Sequence, residues 1–259
     1  MIKLICPNNQ INPIYFPNMT FMAQKHLSSE FLDYLAANPV GGERPSRLPS
    51  LGELSYELHL SVSTLREQME VARALGFVEA RPRTGIRRLP YTFLPAVRQS
   101  LSYAITLDQE YFHKFADLRR NVETCYWYQA VGLLTRQDHE TLRALMARAW
   151  EQLRGTQIHI PQVEHRELHL TIYRRLDNPF VTGILEAFWE AYEAVGLNLY
   201  ADYSYLEEVW GYHQRMVDAI CKGDLEAGYN ALLVHTDLIR HRALADENGV
   251  TVIMHEKEI

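Results

Sequence analysis

From residue 91 to residue 244 the chain carries the apolar spacing of amphipathic helices, and no stretch after Pro90 shows the strict alternation of a half-buried strand. The pattern recurs in seven segments, roughly 91–104, 108–133, 136–154, 161–176, 179–199, 204–221 and 225–244. Their ends are chemically marked. Asp108 opens one helix; Thr135 with Asp138 three residues on has the capping-box pattern; Asn178-Pro179 is an N-cap followed by proline at the first helical position; Gly223-Asp224 separates the last pair. Helices that each own one apolar stripe and are joined by a few residues bury those stripes by packing side by side. This part of the chain is therefore expected to be an antiparallel all-helical bundle.

The first third reads differently. Residues 1–22 hold Asn and Pro with little periodicity and read as an irregular arm. Helical spacing starts at Ala23, where AQKHLSSEFLDYLAAN places Leu27, Phe31, Tyr34 and Leu35 on one stripe and stops at Asn-Pro. After a loop, LPSLGELSYELHL makes a short helix with Ser50 as its N-cap, and STLREQMEVARALG makes another that ends at Gly76. FVEAR and IRRLP are strand candidates around PRTG, a hairpin whose turn glycine is Gly85. Three helices and a small hairpin are the plan of a winged helix-turn-helix. The expected fold is mainly α: an arm over 1–22, a winged helix-turn-helix over 23–92, a helical bundle over 93–245 and a polar tail over 246–259.

No run of 18 apolar residues exists, and MIKLICPNNQINPIYFPNMT lacks a charged-then-apolar signal layout, so the expectation is a cytoplasmic protein with no membrane partner. The three cysteines, Cys6, Cys125 and Cys221, are scattered; Cys125 and Cys221 read as small core residues. The net charge of -6 hides an uneven distribution. Residues 23–92 carry nine Lys/Arg against eight Asp/Glu, whereas residues 93–259 carry 16 against 24. The nucleic-acid-binding candidate is therefore the first third, where RPRTGIRR (81–88) holds four arginines and no acid.

In a helix-turn-helix the second helix lies in the major groove with its N-terminal residues at base edges, while wing and helix ends grip phosphate. The candidates are Ser61, Ser63, Thr64 and Arg66 on that helix, Ser50 at the start of the preceding one, and Arg81, Arg83, Gly85 and Arg87 in the wing. The segment RLPSLGELSYELHLSVSTLREQMEVARALGFVEARPRTGIRRL resembles the DNA-binding domain of the GntR family of bacterial transcription regulators. The resemblance rests on Leu48, Pro49, Ser50, Ser61, Leu65, Arg66, Glu67, Leu75, Gly76, Phe77, Val78 and Gly85. It implies double-stranded operator DNA as a partner and a homodimer. Val62 stands where the family usually has a DNA-contacting arginine, so site preference should differ from that of typical members.

HRELH (165–169) carries two histidines at i and i+4, on one face of a helix, as two ligands of one metal must be. The zinc-protease signature H-E-x-x-H has its general base directly after the first histidine; here that residue is Arg166, and Glu167 lies ~200° round the helix, facing away. The spacing supports a metal site and argues against peptidase chemistry. Residues 105–245 resemble the FCD ligand-binding domain of the FadR-type branch of the GntR family. That resemblance implies a metal held by His165, His169, His213 and His235, with His165 replacing the family's aspartate, and an effector site including Arg119, Glu123 and Asn178. Antiparallel packing across Lys222-Gly223-Asp224 can bring His213 and His235 together, and neutral imidazoles suit Zn²⁺ or Ni²⁺ better than Mg²⁺ or Ca²⁺. Arg119 either forks a small carboxylate effector bound at the metal or forms an i,i+4 ion pair with Glu123. The function expected is a metabolite-responsive transcription regulator and not an enzyme. The alternatives are a metal-dependent hydrolase using the same histidines and a regulator for which the ion itself is the signal.

Overall fold

The computed structural model describes residues 27–38, 46–81, 83, 85–197 and 202–238, together with the backbone pairing of 244–245 with 251–252. The arm at 1–22 and most of the tail lie outside the described residues. The N-terminal unit contains α1 (Glu30–Ala37), β1 (Ser46–Arg47), α2 (Leu51–Glu57), α3 (Val62–Ala74), β2 (Val78–Arg81) and β3 (Gly85–Arg88), with sheet order β1-β3-β2. Its core gathers Phe31, Leu35, Leu54, Leu65, Met69 and Ile86. Ser50 caps α2 as the sequence predicts and forms a full capping box with Glu53, and Ser61 caps α3. Gly76 follows α3 at φ +74, a left-handed conformation that costs glycine little.

The first helix differs from its expectation. It begins at Glu30 and not at Ala23, because the Ser29 hydroxyl accepts the Leu32 N–H and caps it there. Leu27 therefore leaves the buried stripe and is 50% exposed.

The C-terminal unit contains α4 (Leu94–Leu107), α5 (Glu110–Gly132), α6 (Arg136–Arg154), α7 (Gln162–Tyr173), α8 (Pro179–Ala194), α9 (Tyr203–Lys222) and α10 (Leu225–Leu238). α4 packs on α8 and α5, α6 on α7 and α9, and α9 on α10, which closes on α5. Two apolar clusters result, one centred on Trp127, Leu142, Leu168 and Trp210, the other on Phe112, Phe188 and Trp189. α4 ends at Leu107 with Asp108 after it, and the Asp108 carboxylate accepts the Glu110 N–H at 2.9 Å and so opens α5 from one residue before its N-cap, Gln109. No strand is expected after Pro90, yet β4 (Leu244–Ala245) pairs with β5 (Thr251–Val252). The β-branched run VTVI (250–253) is the pattern that marks it, too short to stand out beside the helices. Cys125 is exposed and Cys221 half-buried, so neither is the core residue expected. Cys125 lies ~200° from both Glu123 and Trp127, on the outer side of α5.

Asp138 holds the turn between α5 and α6. Its carboxylate accepts from the Thr135 N–H (2.8 Å) and hydroxyl (2.6 Å) and from Arg174 and Arg175, and its side chain is fully buried. Burial alone would raise its pKa, but the donors Arg175, Thr135 and Arg174 outweigh it and hold the carboxyl far below the usual range. Asp138→Asn should cost about 2–4 kcal/mol, since it removes a cap and the anion between two guanidiniums. A carboxyl depressed in the fold contributes all its stability above its unfolded pKa of ~3.9 and loses it below. Urea titrations should therefore show a wild-type advantage that is constant above pH ~5 and shrinks below pH ~4. An advantage that grows in acid contradicts this role.

The two units meet through aromatic rings. Phe77 lies 6.2 Å from Tyr91, Tyr91 lies 6.1 Å from Phe180 at the start of α8, and Phe180 lies 5.1 Å from Phe93.

Candidate functional site

α7 presents His165 and His169 on one face, α9 brings His213 and α10 brings His235. One ligand atom from each of the four lies within 4.8 Å of the others. His169 is the hub, with its Nε2 3.1 Å from the Nε2 of His213 and 3.1 Å from the Nε2 of His235. His169 and His213 are 0% exposed and His235 4%. Burial pushes all three imidazoles below the ordinary histidine range, the neighbouring rings and Arg119 adding to the effect at His213 and His235. Three neutral rings thus turn their outer nitrogens to one point. The Nδ1 atoms of His213 and His235 are buried without a hydrogen-bond partner. Nitrogen lone pairs 3.1 Å apart need a proton or a cation between them, and this donor set fits a borderline divalent ion.

Arg119 and Glu123 join the histidines from α5. Arg119 Nε is 2.9 Å from Glu123 Oε2, and Glu123 Oε1 is 3.0 Å from His169 Nδ1. Burial would raise the Glu123 carboxyl, but the guanidinium beside it holds it below the usual value, so it is an anion that accepts the His169 Nδ1–H. That bond turns the Nε2 lone pair of His169 towards the other rings, as an outer carboxylate does for a metal-binding histidine. Arg119 Nη2 also lies 2.9 Å from the same Nδ1 and can only donate. The two contacts demand opposite tautomers, and an ion on Nε2 selects the one in which Glu123 is the partner. The Arg119 guanidinium stacks over Phe188 at 4.5 Å and is 2% exposed. Of the two readings of Arg119, the ion pair with Glu123 is present. Asn178 caps α8, its Oδ1 accepting from Phe180 and Val181, while its amide lies 3.4 Å from the Tyr126 hydroxyl. Glu167 is exposed, as the helical-face argument requires.

An aromatic wall encloses His165: Trp189 at 4.5 Å, Tyr192 at 5.9 Å and Trp210 at 5.9 Å between ring centroids. Trp210 was not a sequence candidate, nor was Tyr173, whose hydroxyl donates to the Glu123 carbonyl at 2.9 Å. Their signal was position: Trp210 is three residues before His213 and Tyr173 four after His169, so each shares a ligand's helix face.

On the N-terminal unit, the Ser61 hydroxyl accepts the Thr64 N–H and lies 2.9 Å from the Ser63 hydroxyl and 2.8 Å from that of Thr64. These groups and exposed Val62 and Arg66 form the open N-terminal turn of α3. In the wing, Arg81 pairs with Glu79 at 2.9 Å, Arg83 (φ +69) and Gly85 (φ +78) make the reversal, and Arg87 is exposed.

Comparison with known proteins agrees with both halves. The FCD domain family model matches residues 114–238, which include the four histidines. Over 222 residues the chain is 30% identical to the HTH-type transcriptional regulator YieP of Escherichia coli (strain K12), covering 81% of this chain and 92% of that protein. The chain belongs to the GntR family. It is a GntR-family transcription regulator with an FCD domain, which sets aside the hydrolase reading. Among solved structures, Streptococcus agalactiae GntR shares the fold at TM-score 0.58 and 17% identity, over 81% of this chain and 94% of that one. Escherichia coli McbR/YncC aligns at TM-score 0.44 and 16% identity, over 76% of this chain and 85% of that one.

Proposed function

We propose that this GntR-family protein is a cytoplasmic, homodimeric, operator-binding regulator whose DNA affinity is controlled through a Zn²⁺ or Ni²⁺ ion held by His165, His169, His213 and His235. The observation that carries the reading is the meeting of three buried Nε2 atoms at 3.1 Å with Glu123 behind the hub. When bound, the ion supplies a cross-link between α7, α9 and α10; Glu123 orients His169 and Arg119 keeps Glu123 ionised. Residues 23–92 are the DNA-binding unit and 93–245 the sensing unit. Tyr103 (67%), Leu107 (66%), Tyr111 (43%) and Leu118 (43%) on α4 and α5 are exposed apolar side chains, which supports a second copy as partner. No described helix is long and apolar enough to cross a membrane.

A small carboxylate effector would have to be held by the ion, because Arg119 is already paired with Glu123. The enclosure of the histidines favours a second reading, in which the ion itself is the signal. The metal-stripped chain, titrated with Zn²⁺ or Ni²⁺, should bind about one ion and change its affinity for an operator selected from random duplexes by ~5-fold or more. Carboxylate metabolites that raise the melting temperature only of loaded protein support the effector reading. A chain that stays metal-free after incubation with both ions removes the metal from the function.

For DNA, Arg66→Ala should weaken the selected operator by about 1–3 kcal/mol and relax its sequence preference. Anisotropy titrations against operator and scrambled duplex measure both. Equal binding by variant and wild type excludes Arg66 as a base-reading residue.

A further inference from the structure

Arg47 stands far from the wing in sequence and inside it in space. β1 lies along the outer edge of β3 with Arg47 directly opposite Arg87, and Arg87 is opposite Glu79 on β2. Opposed residues of an antiparallel ladder share a face, and strand alternation adds Gly85 and Arg81 to that face. Arg47 and Arg87 are both exposed. The Arg47 side chain reaches towards the wing tip: its Nε and Nη2 stand 3.8 and 3.9 Å from where a Cβ on Gly85 would be.

Two like charges directly opposed on a ladder weaken it, and β1 is only two residues long. The neighbouring groups are engaged elsewhere. Arg88, on the inner face, donates to the carbonyls of Leu35 and Asn38 at the end of α1. Glu79 pairs with Arg81 at 2.9 Å. Glu53, the carboxylate within the field of Arg47, accepts the Ser50 N–H at 2.7 Å in its capping box. Among the described residues Arg47, Arg83 and Arg87 form no ion pair. A pair of outward guanidiniums on one rigid ladder is matched by an anion with several oxygens, and guanidinium forks suit phosphate.

We propose that Arg47 and Arg87 form a clamp for a backbone phosphate of duplex DNA on the outer face of the wing sheet. The clamp extends the DNA contact from the wing tip on to β1, and it rests on the operator-binding reading above. It grips phosphate without reading bases, so its contribution is the same on every sequence.

The test needs no operator. The full chain is titrated against an arbitrary duplex of about 30 base pairs at several NaCl concentrations, since a neutralised phosphate adds ~0.9 to the slope of log K against log salt. Arg47→Ala and Arg87→Ala should each lower the slope and weaken binding roughly 5- to 10-fold at 0.1 M salt, and the double variant should lower the slope by ~0.9 in all, because both side chains neutralise the same phosphate. Arg47→Lys, which keeps the charge, should retain the slope. Arg136→Ala, a change at a 94% exposed arginine of the helical unit, should match wild type. Free Arg47→Ala should melt no lower than wild type, because it removes the repulsion; a purely structural arginine would lower the melting temperature. If Arg87→Ala lowers the slope and Arg47→Ala does not, the clamp is wrong while DNA binding stands. Wild type without salt-dependent association to duplex would remove the operator-binding reading, and the clamp with it.

Discussion

If the four histidines hold the proposed ion, His169→Ala should strip it from the protein. His169 is the one ring within 3.1 Å of both His213 and His235, and it connects the ligands to Glu123. Its loss removes a donor and leaves Glu123 with Arg119 alone, so affinity should fall by more than the ~10–100-fold that outer partners typically command. Glu123→Gln should lie within that range, and it also leaves the buried Arg119 charge without its anion, lowering stability. Elemental analysis of purified protein and competition against a chelating dye measure both variants. An H169A protein that still carries one ion per chain would falsify the assignment of the hub. The pH dependence has a defined sign. Because burial depresses the pKa of His169, His213 and His235, the folded cluster stays neutral below the ~6.5 at which unfolded histidines take up protons. Proton competition for the ion therefore begins below pH ~6.5 rather than at it. The metal-free fold loses stability as pH falls through that value, since the unfolded chain binds protons the cluster refuses.

Trp127→Ala should be the most destabilising single truncation in the helical unit, at about 3–5 kcal/mol. The indole is fully buried between α5 and α10, and its N–H donates to the Leu225 carbonyl at 3.0 Å. It packs against Gly228 so closely that a Cβ there would stand 2.7 Å from the ring. Truncation opens a cavity and strands a carbonyl; Trp127→Phe keeps most of the volume and should cost less. Since Trp127 lies one helical turn from Glu123, it also holds α5 against the helix that carries His235. Denaturant unfolding should show a lower midpoint with an unchanged slope. A loss under ~1 kcal/mol would mean that α10 is held elsewhere.

What is legible in the sequence follows from which signals are local. Caps are made by residues a few positions apart, so Ser50, Thr135 with Asp138, and Asn178 can be placed on the helices they start. The start of α1 is not legible from the apolar stripe, which continues back through Leu27, whereas the Ser29 cap starts the helix inside it. The four histidines came together through spacing on α7 and the turn between α9 and α10, helped by the family resemblance. An i,i+4 pair and a carboxylate fork have the same sequence, so only the structure shows that Arg119 is paired with Glu123 and lies against His169.

The sequence by itself determined the division into a winged unit and a helical bundle, since periodicity and caps act within a helix or across one turn. It also determined that His165 and His169 share a face, which is a property of the helix alone. Only the tertiary structure decided that Nε2 atoms of three helices meet, that the meeting point is buried deeply enough to keep the rings neutral, and that Arg47 lies beside Arg87. Those facts depend on how α7, α9 and α10 cross and on the register of β1 with β3. Crossing and register are set by packing among residues distant in the chain, and no single segment contains them.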